Sequence, residues 1–191
     1  MGTETAVRST PVRKIVISGV LGAVAIFLGW SHLGFIPWVA GVAITIMHVP
    51  VIIGAVLEGP LVGTAIGLIF GLFSMIQAVL APTGPVDVWF QNPIISVLPR
   101  LFIGIVAWLG YKALRGINEP VALILAGVLG TLTNTVLVLG AIGLYKYLPW
   151  AALPPIVISN GLPEAVVAAI LTLAVVGAWK RIETGRRKSQ L

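Results

Sequence analysis

Hydrophobic residues occur along this chain in long stretches that are interrupted by short clusters of Gly, Pro and polar residues. A membrane-spanning helix needs about 20 predominantly apolar residues, and most of the stretches approach that length. Gly and Pro mark the positions at which each stretch ends. The pattern therefore predicts six transmembrane helices, at residues 13–31, 42–58, 60–81, 93–114, 119–144 and 153–180.

The composition supports a membrane environment for the whole chain. Hydrophobic residues make up 58% of the 191 positions and charged residues 9%, with a mean hydropathy of +1.07. Soluble domains carry about 25% charged residues, so this composition cannot supply a water-facing surface. We predict one all-α integral membrane domain over residues 1–191, embedded in a lipid bilayer.

The basic residues indicate how the helices are oriented. The net charge is +6, and ten of the twelve Lys and Arg residues fall at the N-terminus up to the start of the first span, around the link between the fourth and fifth spans, or at the C-terminal end of the sixth span and the tail after it. With an even number of spans these three segments share one side, and the positive-inside rule predicts that both termini are cytoplasmic. Because the charges lie at helix ends and not on an aromatic-rich stripe, a nucleic-acid partner is not expected.

A few polar side chains are predicted within the membrane, where they are costly and mark candidate sites. Arg100, Asn134, Asn160 and Glu164 belong to the last three spans and lie where they can converge beneath the outer loops. A guanidinium in an apolar cavity can bind a carboxylate through two parallel hydrogen bonds. The alternative is that Arg100 and Glu164 form a purely structural ion pair.

Aromatic and small residues add two further expectations. Tryptophans in the outer loops, including Trp38 and Trp89, are expected to form an aromatic belt at the membrane interface. The alternative is that these loops also fold over the site. Gly63, Gly67 and Gly71 repeat every fourth residue and predict close helix packing within the bundle.

Several kinds of chemistry have no support in the sequence. The chain has no cysteine, no nucleophile or paired-histidine metal motif and no Walker A motif. No catalytic residue, metal site or cofactor is predicted, and an enzyme is not expected.

Three segments resemble the substrate-binding S components of energy-coupling-factor (ECF) vitamin transporters, and the resemblance covers nearly the whole chain. They are residues 46–54 leading to Glu58-Gly59-Pro60, Thr133-Asn134-Thr135, and Asn160-Gly161-Leu162-Pro163-Glu164.

The resemblance implies a high-affinity binding subunit in a prokaryotic plasma membrane. It would take up a vitamin from outside through its last three helices and outer loops. It would then topple on a transmembrane T component driven by two ATPases. The family's docking face on the first helix corresponds here to Gly19 and Ala23.

Within the family, the sequence is most similar to the pantothenate type, in which Arg100 and Asn134 are expected to bind the carboxylate and amide. Riboflavin and other vitamins or precursors stay open as alternatives. So does a different class, a membrane scaffold in which these side chains are packed without a cavity.

Overall fold

The structure, a computed structural model, describes residues 10–37, 43–82 and 84–188. Within these ranges the chain forms α-helices, one short pair of strands, and 3₁₀ and π turns. In chain order the elements are α1 Pro11–Trp30, β1 Phe35–Pro37, β2 Ala43–Thr45, α2 Val49–Glu58, α3 Pro60–Leu80, a 3₁₀ turn Asp87–Gln91, α4 Pro93–Ser96, α5 Leu98–Leu114, α6 Glu119–Leu144, a 3₁₀ turn Trp150–Ala152, α7 Leu153–Ile156, a π-helical turn Val157–Gly161 and α8 Leu162–Lys188.

The all-α membrane fold predicted from hydropathy is confirmed. Five helical segments in the described residues are long and apolar enough to cross a bilayer. A sixth, α2, is apolar but has only ten residues. The five are Pro11–Trp30, Pro60–Leu80, Pro93–Leu114, Glu119–Leu144 and Trp150–Arg181.

The predicted second span, 42–58, was wrong in its first half. The helix begins only at Val49, and residues 43–45 instead pair antiparallel with residues 35–37. Pro50 lies in the first turn of α2, where its missing N–H is tolerated and its fixed φ favours a helix start. Hydropathy alone cannot separate a short buried strand from a helix. At 1.5 Å per residue, α2 reaches about half-way across the hydrocarbon core.

The short helix α2 is buried on almost every side and forms the centre of the bundle. Val51, Ile52 and Ala55 are fully inaccessible, as expected for a helix that is apolar all round. At its start, His48 contacts Thr131 of α6, with 2.8 Å between Nε2 and Oγ1. The Thr131 hydroxyl donates to the Gly127 carbonyl, so its oxygen accepts the Nε2–H of His48.

The glycines of α3 pack against α5, as the GxxxGxxxG pattern predicts. A Cβ on Gly63 would approach Gly104 Cα to 2.8 Å, and one on Gly67 would collide with the Arg100 carbonyl oxygen. Gly71 makes the same kind of contact with Val97. The Gly residues therefore bring the α3 backbone against the segment that carries Arg100.

Ionic contacts join the helices at the end of the bundle that carries most of the basic residues, here called the basic end. Arg13 of α1 pairs with Glu58 at the end of α2, with 2.5 Å between Nε and Oε1, and the Glu58 side chain is fully inaccessible. Lys180 of α8 contacts both Tyr111 and Glu119, which links α8 to α5 and α6.

Candidate functional site

A cavity of about 340 Å³ lies at the opposite end of the bundle, here called the loop end. Its size is within the usual range for small-molecule sites, about 300–1,000 Å³. It lies where α3 ends and α5 begins, and the loops after α1 and α3 contribute to it. The lining residues are His32, Phe35, Thr45, Met47, Phe70, Ser74, Gln77, Ala78, Asp87, Phe90, Arg100 and Asn134.

Arg100 supplies a buried positive charge to this cavity. It follows Pro99 in the first turn of α5, which Val97 separates from α4. Only 5% of the residue is exposed. Its guanidinium lies over the rings of Phe70 and Phe90, at 5.2 and 5.1 Å from the ring centroids. Nη1 donates to the Ile95 carbonyl, which fixes the side chain.

The hydrogen bonding of this guanidinium is incomplete. Nε is buried and has no hydrogen-bond partner among the described residues, and those residues also provide no carboxylate within ion-pair distance of Arg100. A buried cation normally requires a partner. Arg100 is therefore suited to receive an anionic group from a ligand.

Glu164 does not pair with Arg100 in the part of the chain that the structure describes, which argues against the structural ion pair considered from the sequence. Its Oε1 accepts from the Thr45 backbone N–H at 2.8 Å, and its Oε2 accepts from the Thr135 hydroxyl at 3.4 Å. Glu164 is also absent from the residues that line the cavity.

Asn134 lies in the middle of α6 and adds an amide to the cavity. The residue is 6% exposed, and its Oδ1 atom has no hydrogen-bond partner among the described residues. Buried amide oxygens are rarely left without a partner in native proteins. Together with Ser74 and Gln77 of α3, Asn134 can bind hydroxyl or amide groups of a ligand.

Besides Glu164, two other predicted site residues do not line the cavity. Asn160 is in the π-helical turn before α8, half-buried, and its Oδ1 accepts from Ser159 at 3.4 Å. Trp89 stacks on Tyr147 with 5.5 Å between ring centroids and an interplanar angle of 1°, so it joins two loops beside the cavity. Trp38 lies outside the described residues.

Several lining residues were not chosen as site residues from the sequence. Gln77, His32 and Phe90 line the cavity, but single polar or aromatic residues near the ends of spans are common at membrane interfaces and do not by themselves indicate a site. Asp87 and Thr45 gave no signal, because each stands in a loop or strand whose position depends on the rest of the bundle. An acidic residue two positions before a Trp-Phe pair, as in Asp87-Val88-Trp89-Phe90, is the clue that could have identified the 87–91 turn.

Residues 13–176 match the family described as the substrate-specific component of the ECF transporter. This chain belongs to that family. The resemblance noted in the sequence is thereby confirmed, and the chain is an S component.

Two curated relatives are pantothenate transporters by name. The S component is 37% identical to the pantothenic acid transporter PanT of Lactococcus lactis subsp. cremoris over 159 residues, which cover 74% of this chain and 80% of that protein. It is 33% identical to the pantothenate transporter PanT of Leuconostoc mesenteroides subsp. mesenteroides over 114 residues, 58% of this chain and 55% of that protein.

Membership of this family defines the general function of the chain. The S component is a multi-pass plasma-membrane protein and the substrate-specific part of a transporter, not an enzyme. The family implies a small-molecule substrate and partnership with T and ATPase components.

Proposed function

We propose that this S component binds pantothenate in the cavity around Arg100. Pantothenate carries one carboxylate, one amide and two hydroxyl groups on a short aliphatic body. The carboxylate matches the buried guanidinium, and the amide and hydroxyls match Asn134, Ser74 and Gln77. The names of the two relatives support the same substrate.

The single observation that carries this proposal is the environment of Arg100. Its guanidinium contacts the faces of two phenylalanine rings that line the cavity, and its Nε–H has no partner among the described residues. A carboxylate that accepts this N–H would gain a charge-assisted hydrogen bond away from water. A scaffold protein would have no need for an open cavity beside such a cation.

We also propose an orientation and a mode of delivery. The cavity lies at the loop end, opposite the basic end, so the positive-inside rule places its opening outside and both termini in the cytoplasm. Gly19 and Ala23 lie on the exposed side of α1, and no side chain lies within 4 Å of where a Gly19 Cβ would be. This open small-residue face supports docking of α1 on the T component, on which the S component would topple.

The test is the thermal stability of the detergent-purified protein with a panel of vitamins: pantothenate, riboflavin, folate, biotin, thiamine and pyridoxine. A ligand that binds only the folded state raises the melting temperature by mass action. We expect a rise with pantothenate alone. A rise with riboflavin or another vitamin would replace the substrate, and no rise with any of them would overturn the proposal.

The same measurement on Arg100→Ala tests the site. Because the variant removes charge-assisted hydrogen bonds to the ligand, we expect pantothenate affinity to fall by about 100-fold or more. Lys112→Ala is the matched control, since Lys112 is an exposed cation over Trp108 at the basic end. Unchanged affinity in Arg100→Ala would remove Arg100 as the carboxylate receptor.

A further inference from the structure

The carboxylate of Glu164 makes one long-range contact that the binding site itself does not explain. Glu164 lies in the first turn of α8 with 5% of its surface exposed. Its Oε1 accepts the backbone N–H of Thr45, 119 positions earlier in the chain. A carboxylate buried in a membrane protein is costly unless it is hydrogen-bonded, so this contact has a strong reason to persist.

Thr45 belongs to the cavity surface, and other lining residues depend on its position. It is the last residue of β2 and pairs in register with Phe35 of β1. Its hydroxyl oxygen accepts from the Met47 backbone N–H at 3.4 Å. Phe35, Thr45 and Met47 all line the cavity, so one hydrogen bond to Thr45 positions three lining residues.

The strands have little means of holding this position by themselves. Each has three residues, and an isolated two-stranded ribbon is marginally stable at best. Glu164 is in turn oriented by Thr135 of α6, whose hydroxyl is 3.4 Å from Oε2 and 3.2 Å from the Thr131 carbonyl oxygen. The strand pair is thereby connected to α6 and α8, which pack closely against each other where Gly127 meets Ala169.

We propose that Glu164 is a positioning residue of the binding site: it holds the surface formed by Phe35, Thr45 and Met47 against the cavity without touching the ligand. This inference rests on the proposed function only in that a ligand occupies the cavity. It assigns to Glu164 a role different from the direct substrate contact expected from the sequence.

The first test measures the position of the segment without any ligand. The chain has no native cysteine, so Met47→Cys introduces a single thiol at a residue that is 4% exposed. We compare the rate at which a water-soluble maleimide labels this thiol in three proteins, which carry the native Glu164, Glu164→Gln or Glu164→Met. Gln keeps an acceptor for the Thr45 N–H, whereas Met has similar length and no such acceptor.

We expect labelling to rise about tenfold in Glu164→Met and to stay near the parent rate in Glu164→Gln, since the lost contact is a hydrogen bond to a charged group. We also expect pantothenate affinity to fall about tenfold in Glu164→Met and to stay near that of the parent protein in Glu164→Gln. Equal labelling in all three backgrounds would overturn the proposal.

A second pair of variants removes the same hydrogen bond from its donor side, in case Glu164→Met does not fold. Thr45→Pro lacks the backbone N–H, and Thr45→Ala retains it. The proposal requires faster Met47→Cys labelling in Thr45→Pro than in Thr45→Ala, and equal rates would contradict it.

Ligand binding then separates this proposal from the proposed function. If Glu164→Gln loses affinity as fully as Glu164→Met while labelling is unchanged, the carboxylate contacts the ligand directly and the positioning role is wrong. If the parent protein binds none of the vitamins, the proposed function fails, but the labelling rates still decide the role of Glu164.

Discussion

At the scale of single residues, the cavity depends on two polar groups whose hydrogen bonding is incomplete within the described chain. Arg100 has a buried Nε atom and Asn134 a buried Oδ1 atom without partners there. Both were chosen from the sequence because polar side chains at membrane depth require a reason. The structure brings them to one cavity, which hydropathy could suggest but not establish.

Replacing Asn134 tests the second of these groups. Asn134→Leu removes the amide and keeps the branched shape and the number of side-chain heavy atoms, and we expect pantothenate affinity to fall about five- to tenfold because a ligand hydrogen bond is lost. Stability without ligand should not fall, since Oδ1 has no partner to lose among the described residues. Isothermal titration calorimetry and thermal melting measure the two effects.

Thr133→Val is the matched control for Asn134→Leu. Thr133 is one position earlier on α6, and its hydroxyl donates to the Leu129 carbonyl of the same helix at 2.7 Å. The control should bind pantothenate with parent affinity. Equal affinity in Asn134→Leu would show that Asn134 does not contact the ligand.

At the scale of elements, the close approach of α3 to α5 positions Arg100. Gly67→Ala would place a methyl group on the Arg100 carbonyl oxygen, and overpacking of this kind costs about 1–3 kcal/mol. We expect a lower melting temperature and at least about fivefold weaker pantothenate binding, because α5 must shift at the residue that binds the carboxylate.

Gly140→Ala is the comparison for Gly67→Ala, since a Cβ on Gly140 of α6 would meet no atom within 4 Å. It should change neither the melting temperature nor the affinity. Parent-like binding in Gly67→Ala would mean that the position of Arg100 tolerates a displacement of α5.

The ion pair between α1 and α2 is a second element-scale contact. Arg13→Met leaves the inaccessible carboxylate of Glu58 without this partner, and we expect a loss of about 1–3 kcal/mol in the free energy of unfolding. The double variant Arg13→Met/Glu58→Met should recover part of that loss, because no buried charge remains. A double-mutant cycle measures the coupling from the denaturation of the parent, Arg13→Met, Glu58→Met and the double variant. If the two single changes add up to the effect of the double variant, the side chains do not interact directly.

At the scale of the whole molecule, the two ends of the bundle differ in charge and in chemistry. The basic end holds the Arg13–Glu58 and Lys180–Glu119 pairs, and the loop end holds the cavity. If the positive-inside rule orients this S component, the cavity opens to the outside and a vitamin can enter it from there.

Single cysteines test this orientation, because the parent chain has none. Gly84 lies in the loop between α3 and α4, and Gly116 lies in the exposed turn between α5 and α6. In intact cells a membrane-impermeant maleimide should label Gly84→Cys and should label Gly116→Cys only after lysis. The reverse pattern would place the cavity on the cytoplasmic side.

The sequence by itself determined that this protein lies in a lipid bilayer and that it is built of helices. Long apolar runs with 9% charged residues can be stable only in a bilayer, and within it the backbone must satisfy its own hydrogen bonds, which selects helices. The same local rules gave the ends of α3 and α6 to within a residue, because Pro, Gly and Asn mark them. The Gly pattern of α3 likewise predicted its packing.

The tertiary structure decided which residues share the cavity. Glu164 and Asn160 are four residues apart in sequence, yet Glu164 contacts Thr45 and Asn160 contacts Ser159, since the π-helical turn alters the spacing expected for an α-helix. Residues 43–45 pair with the nearby residues 35–37, but Thr45 also donates to Glu164, which lies 119 positions later in the chain. Contacts of this kind depend on the packing of all the helices together, and no local pattern encodes them.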